Sequence, residues 1–234
     1  IIGGNGDDTI DGRGGNDIIN AGGGDDIITV SSAGQGDGDT IDGGSGTDTL
    51  SLSNGSHSFA TDAKLQNINS INLASTSTVI DLTGQTESLT ITGGAQADTI
   101  TAGTGDDIIN GAGGADIIKG AGGIDTISLG NSDSASDIII FDASSGMDII
   151  QQFTAGATNG DILKYIGNLT DSESSANTST GSDNTDNLLS ADFVANAKNS
   201  SLDITHLVVG FTSAVTVNGQ SGGTAIDFTG AGIS

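Results

Sequence analysis

GGAQADTIT-AGTGDDIIN-GAGGADIIK-GAGGIDTIS, residues 93–128, is four nine-residue units set end to end. The sixth position is always aspartate (Asp98, Asp107, Asp116, Asp125) and the eighth always isoleucine (Ile100, Ile109, Ile118, Ile127). The first five positions are mostly glycine and other small residues. Glycine opens turn conformations closed to other residues and lets the main chain approach an ion closely. The x-Ile-x triplet reads as one short strand with isoleucine inward and its neighbours outward, because side chains alternate faces along a strand. A turn plus a strand reverses the chain once, so two units make one coil. Stacking coils at the usual spacing of about 4.8 Å sets Asp98 against Asp116 on one edge and Asp107 against Asp125 on the other.

Stacked carboxylates in a glycine turn repel one another unless a cation sits between them. Ligation by oxygen alone suits calcium, whereas zinc calls for His or Cys. The units fit GGxGxDxUx, with U a large aliphatic residue, and resemble the hemolysin-type calcium-binding repeats of RTX proteins. The resemblance implies an all-β fold: a parallel β-roll, or β-solenoid, with calcium-binding turns and a C-terminal β-rich cap. It also implies that carbonyls of the turn glycines complete the metal shell, here those of Gly4, Gly6, Gly22, Gly24, Gly103 and Gly105.

A first block of the same kind opens the chain. GGNGDDTID, GRGGNDIIN and AGGGDDIIT run on from Gly3 with Asp8, Asp17 and Asp26 at position six. Arg13 replaces a glycine at position two of its turn, which puts the carbonyl geometry there in question. Residues 30–32 read as a spacer, and 33–42 as a unit with one extra turn residue that aligns Asp39. GGSGTDTLS then restores the period with Asp48 and Leu50. Expected stacks are Asp8 with Asp26, Asp26 with Asp48, and Asp17 with Asp39. Position-five acids (Asp7, Asp25, Asp37, Asp106) are expected to add negative field or water-mediated contacts.

Residues 52–92 lose the glycine turns but keep short alternating strands: LSLS, INSINLA, STVIDLT and SLTITGG. They read as coils of the same solenoid without calcium, with a separate domain or linker as the alternative. Past residue 128 the repeat loosens. Asp137 and Asp148 continue the ligand series, so the expected metal ligands are Asp8, Asp17, Asp26, Asp39, Asp48, Asp98, Asp107, Asp116, Asp125, Asp137 and Asp148. Outward positions there turn apolar (Ile138, Ile140, Phe141, Ile149), which calls for a cover. Asp161-Ile162-Leu163 resembles the closing sequence of RTX rolls. Residues 170–187 read as a loop, 191–198 as a short helix, and 202–209 and 214–217 as strands of a cap over the open edge. The expected divisions are 1–51, 52–92, 93–150 and 151–234: first calcium block, calcium-free coils, second calcium block, and cap with a secretion-signal region.

Composition narrows the function. The chain has 234 residues, 30 acidic against 5 basic, and a formal charge of −25. Its phosphate-binding term would be repulsive, so nucleic acid is excluded as a partner, and anionic membrane surfaces are disfavoured. With 34% hydrophobic residues, six Phe, one Tyr and no Trp, a thin aliphatic ladder suits the chain better than a thick core. A disordered acidic chain would not hold Ile and Asp in register. Cysteine is absent, so calcium takes the place of disulfides as a staple. No stretch approaches a membrane span, and no signal peptide leads the chain. IIGGNGDD already lies inside a repeat, as in part of a longer polypeptide.

Catalytic readings find no footing. His57 and His206 lack the HExxH spacing and read as structural or surface residues. No GxSxG elbow occurs, and the carboxylates form an array rather than a glycosidase pair. An ice-binding threonine ladder is disfavoured because Thr90/Thr92 and Thr99/Thr101 fall on opposite sheets. The resemblance then implies a non-enzymatic, calcium-loaded β-roll exported by a bacterial type I system. Within the family, the reading favoured here is the structural roll of a surface-layer protein, which folds and self-associates outside the cell. The alternative is a C-terminal folding and secretion module of a hydrolase, toxin or adhesin.

Overall fold

A computed structural model describes residues 1–30, 38–130, 135–141, 145, 148–153, 161–165 and 207–211. The glycine-rich opening supplies β1 (Ile2–Asn5), β2 (Thr9–Asp11), β3 (Ile18–Gly23), β4 (Ile27–Val30), β5 (Thr40–Ser45) and β6 (Thr49–Leu52). The middle supplies β7 (Gly55–Ser58), a single 3-10 turn at Asp62–Lys64, β8 (Leu65–Gln66), β9 (Ser70–Leu73), β10 (Thr78–Asp81) and β11 (Thr90–Thr92). The second glycine-rich block gives β12 (Thr99–Thr101), β13 (Ile108–Asn110), β14 (Ile117–Lys119) and β15 (Thr126–Ser128). β16 (Ile138–Phe141), β17 (Asp148–Phe153), β18 (Ile162–Tyr165) and β19 (Leu207–Phe211) follow.

Apart from β7 and β8, which both belong to the same wall, successive strands alternate between two walls, and every described pairing is parallel. One wall is an unbroken nine-stranded sheet, β2-β4-β6-β9-β11-β13-β15-β17-β19. The other is split into a four-stranded sheet, β1-β3-β5-β8, and a six-stranded sheet, β7-β10-β12-β14-β16-β18. This is the expected β-solenoid of the β-roll type. Both blocks and the glycine-poor coils share the nine-stranded wall, as one continuous stack requires.

The middle residue of each short strand points inward. Ile28, Leu50, Ile71, Ile91, Ile109, Ile127 and Ile150 line one wall, and Ile19, Ile41, Leu65, Ile80, Ile100, Ile118 and Ile139 line the other, all at most 2% exposed. Burying one such side chain is worth roughly 1.5–3 kcal/mol, so the thin ladder is the core. His57 breaks its chemistry. It pairs in register with Ile80, lies buried, and its Nε2 is 2.9 Å from the Ser53 carbonyl. The expected structural role for His57 fits that position; His206 lies outside the described residues.

Some boundaries differ from expectation. Val30 is no spacer: it ends β4, pairs with Leu52 and is fully buried. The middle region also holds β7 and β8, two strands the alternation did not reveal. β8 pairs back to β5 and closes the four-stranded sheet, while β7 pairs forward to β10 and begins the six-stranded one. At the far end, β19 overlaps the expected strand 202–209 at residues 207–209, runs on to Phe211 and pairs along β17; residues 202–206 lie outside the described residues. Ile138, Ile140 and Phe141 are half-buried and Ile149 is exposed. The expected loop at 170–187, helix at 191–198 and strand at 214–217 lie outside the described residues.

Candidate metal centre

Each turn delivers its position-six aspartate to the same place one coil further along. Asp8 N–H donates to Asp26 Oδ1, and Asp26 N–H to Asp48 Oδ1, both at 2.8 Å. In the second block Asp107 N–H donates to Asp125 Oδ1 at 2.9 Å, and Asp125 N–H to Asp148 Oδ1 at 3.1 Å. These residues precede strands of the nine-stranded wall and form the first edge. On the second edge Asp17 N–H donates to Asp39 Oδ1. There too Asp98 donates to Asp116, and Asp116 to Asp137, all three at 2.8 Å. The expected aspartate stacks therefore exist as hydrogen-bonded ladders, each amide giving its proton to the next coil.

The ladders leave oxygen to spare. Oδ1 is consumed by the amide, but Oδ2 of Asp17, Asp26, Asp48 and Asp125 is buried without a hydrogen-bond partner. Asp98 differs, its Oδ2 accepting from Gly94 N–H at 2.7 Å. A buried carboxylate oxygen without a partner is strongly disfavoured, so a cation is the natural complement. The glycine at position one makes room for this oxygen. A Cβ on Gly3, Gly43 or Gly111 would lie 2.7, 2.6 and 2.7 Å from Oδ2 of Asp8, Asp48 and Asp116.

Burial sets the electrostatics. It pushes Asp125 up to about 7, against the lowering hydrogen bond from Asp107, with the charges of Asp148, Asp107 and Asp106 adding to the rise. Burial likewise lifts Asp107 to about 6, opposed by the amides of Leu89 and Gly103. Asp39, Asp48, Asp98 and Asp148 are raised for the same leading reason. The array is thus strained as a set of bare anions.

Among the described residues, no three His, Cys, Asp or Glu side chains converge on a common point. An ion on a ladder would take one or two carboxylates and fill its shell from main-chain carbonyls and water. That all-oxygen donor set fits calcium and offers zinc no soft or imidazole ligand. The turn backbone is suited to the purpose. At position two of the unit Gly4, Gly22 and Gly44 take φ of +141°, +111° and +95°, and at position four Gly6, Gly24 and Gly46 take +101°, +123° and +134°. Arg13 holds φ +60° at position two, so that turn keeps a left-handed residue despite losing glycine. Gly103 and Gly105 are absent from the positive-φ set and stack on Gln85 and Glu87 of a glycine-poor coil. Their carbonyls therefore sit in a turn of different backbone from those of Gly4, Gly6, Gly22 and Gly24.

Three features escaped the sequence reading. Asn69 stands in the aspartate's place above Asp48, taking its N–H on Oδ1 at 2.7 Å. Asp161 extends the second edge, accepting from Asp137 N–H at 3.0 Å; the pattern Asp-x-aliphatic at 161–163 was the available signal. The position-five acids do more than supply field. Asp25 N–H donates to Asp7 Oδ1, Thr47 N–H to Asp25 Oδ1, and Ile124 N–H to Asp106 Oδ1, at 2.8–2.9 Å. This outer ladder is exposed and runs opposite in sense to the inner one. Asp37 lies outside the described residues.

Residues 1–29, 33–56 and 91–127 match a family model that describes four copies of the RTX calcium-binding nonapeptide repeat. The three matched segments fall on the two glycine-rich blocks and leave 30–32, 57–90 and everything past 127 unmatched. A comparison with curated proteins found no match. The two blocks are thus calcium-binding repeats of the RTX type, a structural fold typical of secreted proteins. No helix among the described residues is long and apolar enough to cross a membrane.

Proposed function

We propose that this chain is the calcium-loaded structural roll of a bacterial surface-layer protein, exported by a type I system and folded outside the cell. Calcium would be held at the position-six aspartates from Asp8 to Asp148, with Asp161 added to the series. Extracellular calcium modules bind at about 10⁻⁴ to 10⁻³ M, so the chain stays open during export and closes outside. Binding free energy is then folding free energy.

One observation carries the structural role. A single nine-stranded wall runs through both calcium blocks and the glycine-poor coils between them, and isoleucines are exposed on both walls. Ile27 and Ile108 stand out from the nine-stranded sheet, and Ile18 from the four-stranded one at 75% exposure. Ile117, on the opposite wall from Ile108, is half-buried. A long two-faced slab with apolar contacts on each side suits lateral packing into a layer. The test is negative-stain electron microscopy of the purified chain in millimolar calcium. Ordered sheets that disperse on chelation are expected. A chain that stays monomeric at every concentration would overturn the reading and leave the folding-module alternative.

A further inference from the structure

The two walls of this anionic chain carry charge unequally. Along the split wall the outward strand positions include Asp42, Asp81, Lys119 and Lys164. Along the nine-stranded wall from β2 to β17 the outward rows carry one charge, Asp11. The rest are Thr, Ser, Asn, Gln and three isoleucines. For a chain of net charge −25, those strand rows let a second copy approach without like charge facing like, the exposed Asp7, Asp25 and Asp106 lying outside them along one edge of the wall.

The rows are also self-complementary. A two-fold axis along the strands, placed between β9 and β11, reverses the stacking order and lays each outward row on its own copy. β4 then meets β15 of the other copy, β6 meets β13, and β2 meets β17. Ile27 falls on Thr126, Ile108 on Thr49, and Ile149 likewise on a threonine, so every isoleucine faces a smaller side chain that offers a methyl group. The lone carboxylate, Asp11, falls on the amide of Gln151. No isoleucine meets isoleucine and no charge meets its like.

We propose that the nine-stranded wall is a self-docking surface, seating a second copy of this chain with the two stacks antiparallel about that axis. The inference rests on self-association in the proposed function and names the face and the pairing. From β2 to β17 the wall is about 34 Å long at ordinary strand spacing. Two outward side chains per strand cover roughly 400 Å² per copy, about 800 Å² in all, short of the roughly 1,200 Å² at which specific stable interfaces begin. The contact is therefore weak for an isolated pair and accumulates where many copies are held together.

Sedimentation equilibrium in saturating calcium, with circular dichroism to confirm folding, tests it through charge exchange. Ile108→Asp should weaken association at least tenfold, while Ser56→Asp, at an exposed outward position of β7 on the other wall, leaves it within twofold. Adding Thr49→Lys to Ile108→Asp should restore association to near the original strength. Within one copy these positions lie three strands apart, about 14 Å, so the rescue can only come from a second copy. If Ile108→Asp has no effect, or Ser56→Asp has an equal one, the face assignment is overturned while self-association stands. Failure of the double variant to recover overturns the two-fold pairing. An original chain that never associates removes both this inference and the surface-layer reading.

Discussion

The glycine-rich coils and the glycine-poor coils at residues 52–92 build the same solenoid by different closures. In the former each turn ends in an aspartate, buried from Asp26 on; the Oδ1 of Asp26, Asp48 and Asp125 serves the neighbouring coil and their Oδ2 has no proton to accept. In the latter, neutral groups close the turns. Asn69 takes the Asp48 amide, and buried Gln85 donates its Nε2 to the carbonyls of Phe59 and Thr61 at 2.6 and 3.1 Å. Thr78 and Leu89 lend their amides to Asp98 and Asp107 without adding a carboxylate to the stack. One closure is complete within the chain; the other waits for a cation. A shared backbone geometry does not imply a shared requirement for metal.

Removing calcium should separate the two regions most sharply. With excess chelator, hydrogen exchange is expected to become fast across both glycine-rich blocks, while amides of β9, β10 and β11 retain measurable protection. Uniform exchange along the chain would mean that the middle coils have no stability of their own, and full protection of the blocks that their carboxylates need no metal.

Acid should partly substitute for the cation. Asp107 and Asp125 titrate at about 6 and about 7 in the folded chain, against an ordinary value of 3.8. A carboxyl with a raised folded-state pKa stabilises the fold when protonated, so its contribution is complete below about 4 and is lost as pH rises through 6 to 7. In chelator the thermal midpoint of the second block should therefore climb as pH falls from 8 to 5. In saturating calcium the trend should reverse, because protons then compete with the ion. Parallel pH trends with and without calcium would break the link between these carboxylates and the metal.

Single carboxylates should show graded effects. Asp116 receives an amide from one coil and gives its own to the next. Asp116→Ala is expected to disturb two ion positions on the second edge and leave the Asp107–Asp125 pair on the first edge loaded. Asp106→Ala removes only an exposed acceptor for Ile124 N–H, a loss of about 0.5–1.5 kcal/mol with little change in bound ion. Equilibrium dialysis with calcium distinguishes these outcomes, and equal ion loss in the two variants would contradict the ladder scheme. The smallest change should come from Asn69→Asp, which converts a neutral closure into an ionic one. It is expected to lower the thermal midpoint of the apo chain slightly, a loss that calcium offsets. A variant indifferent to calcium would show that a carboxylate in register does not suffice to recruit the ion.

Much of this was legible because a strict nine-residue period carries both register and chemistry. Asp98, Asp107, Asp116 and Asp125 fix the stacking partners, since ladder neighbours lie 18 residues apart there. The middle and distal coils were harder, because the same contact spans 21 residues from Asp48 to Asn69 and 24 from Asp137 to Asp161. A lengthened turn erases the period without disturbing the sheet. β7 and β8 were missed because Gly55–Ser58 carries histidine where its neighbours carry isoleucine, and Leu65–Gln66 is too short to alternate. At Arg13 the backbone takes a left-handed conformation, strained for a side chain yet attainable, so the turn survives the loss of its glycine.

The split between β8 and β7 has a mechanical consequence. A pull along the stack axis passes from coil to coil through main-chain hydrogen bonds, and on the nine-stranded side that line of bonds never stops. On the opposite side β8 is bonded to β5 and β7 to β10, and both strands lie in the one coil between the paired strands β6 and β9. There the load crosses from one sheet to the other through the covalent chain at residues 59–64 instead of through a strand-to-strand bond. A pull on the stack is therefore shared between a continuous sheet on one side and, at this coil, a connecting loop on the other.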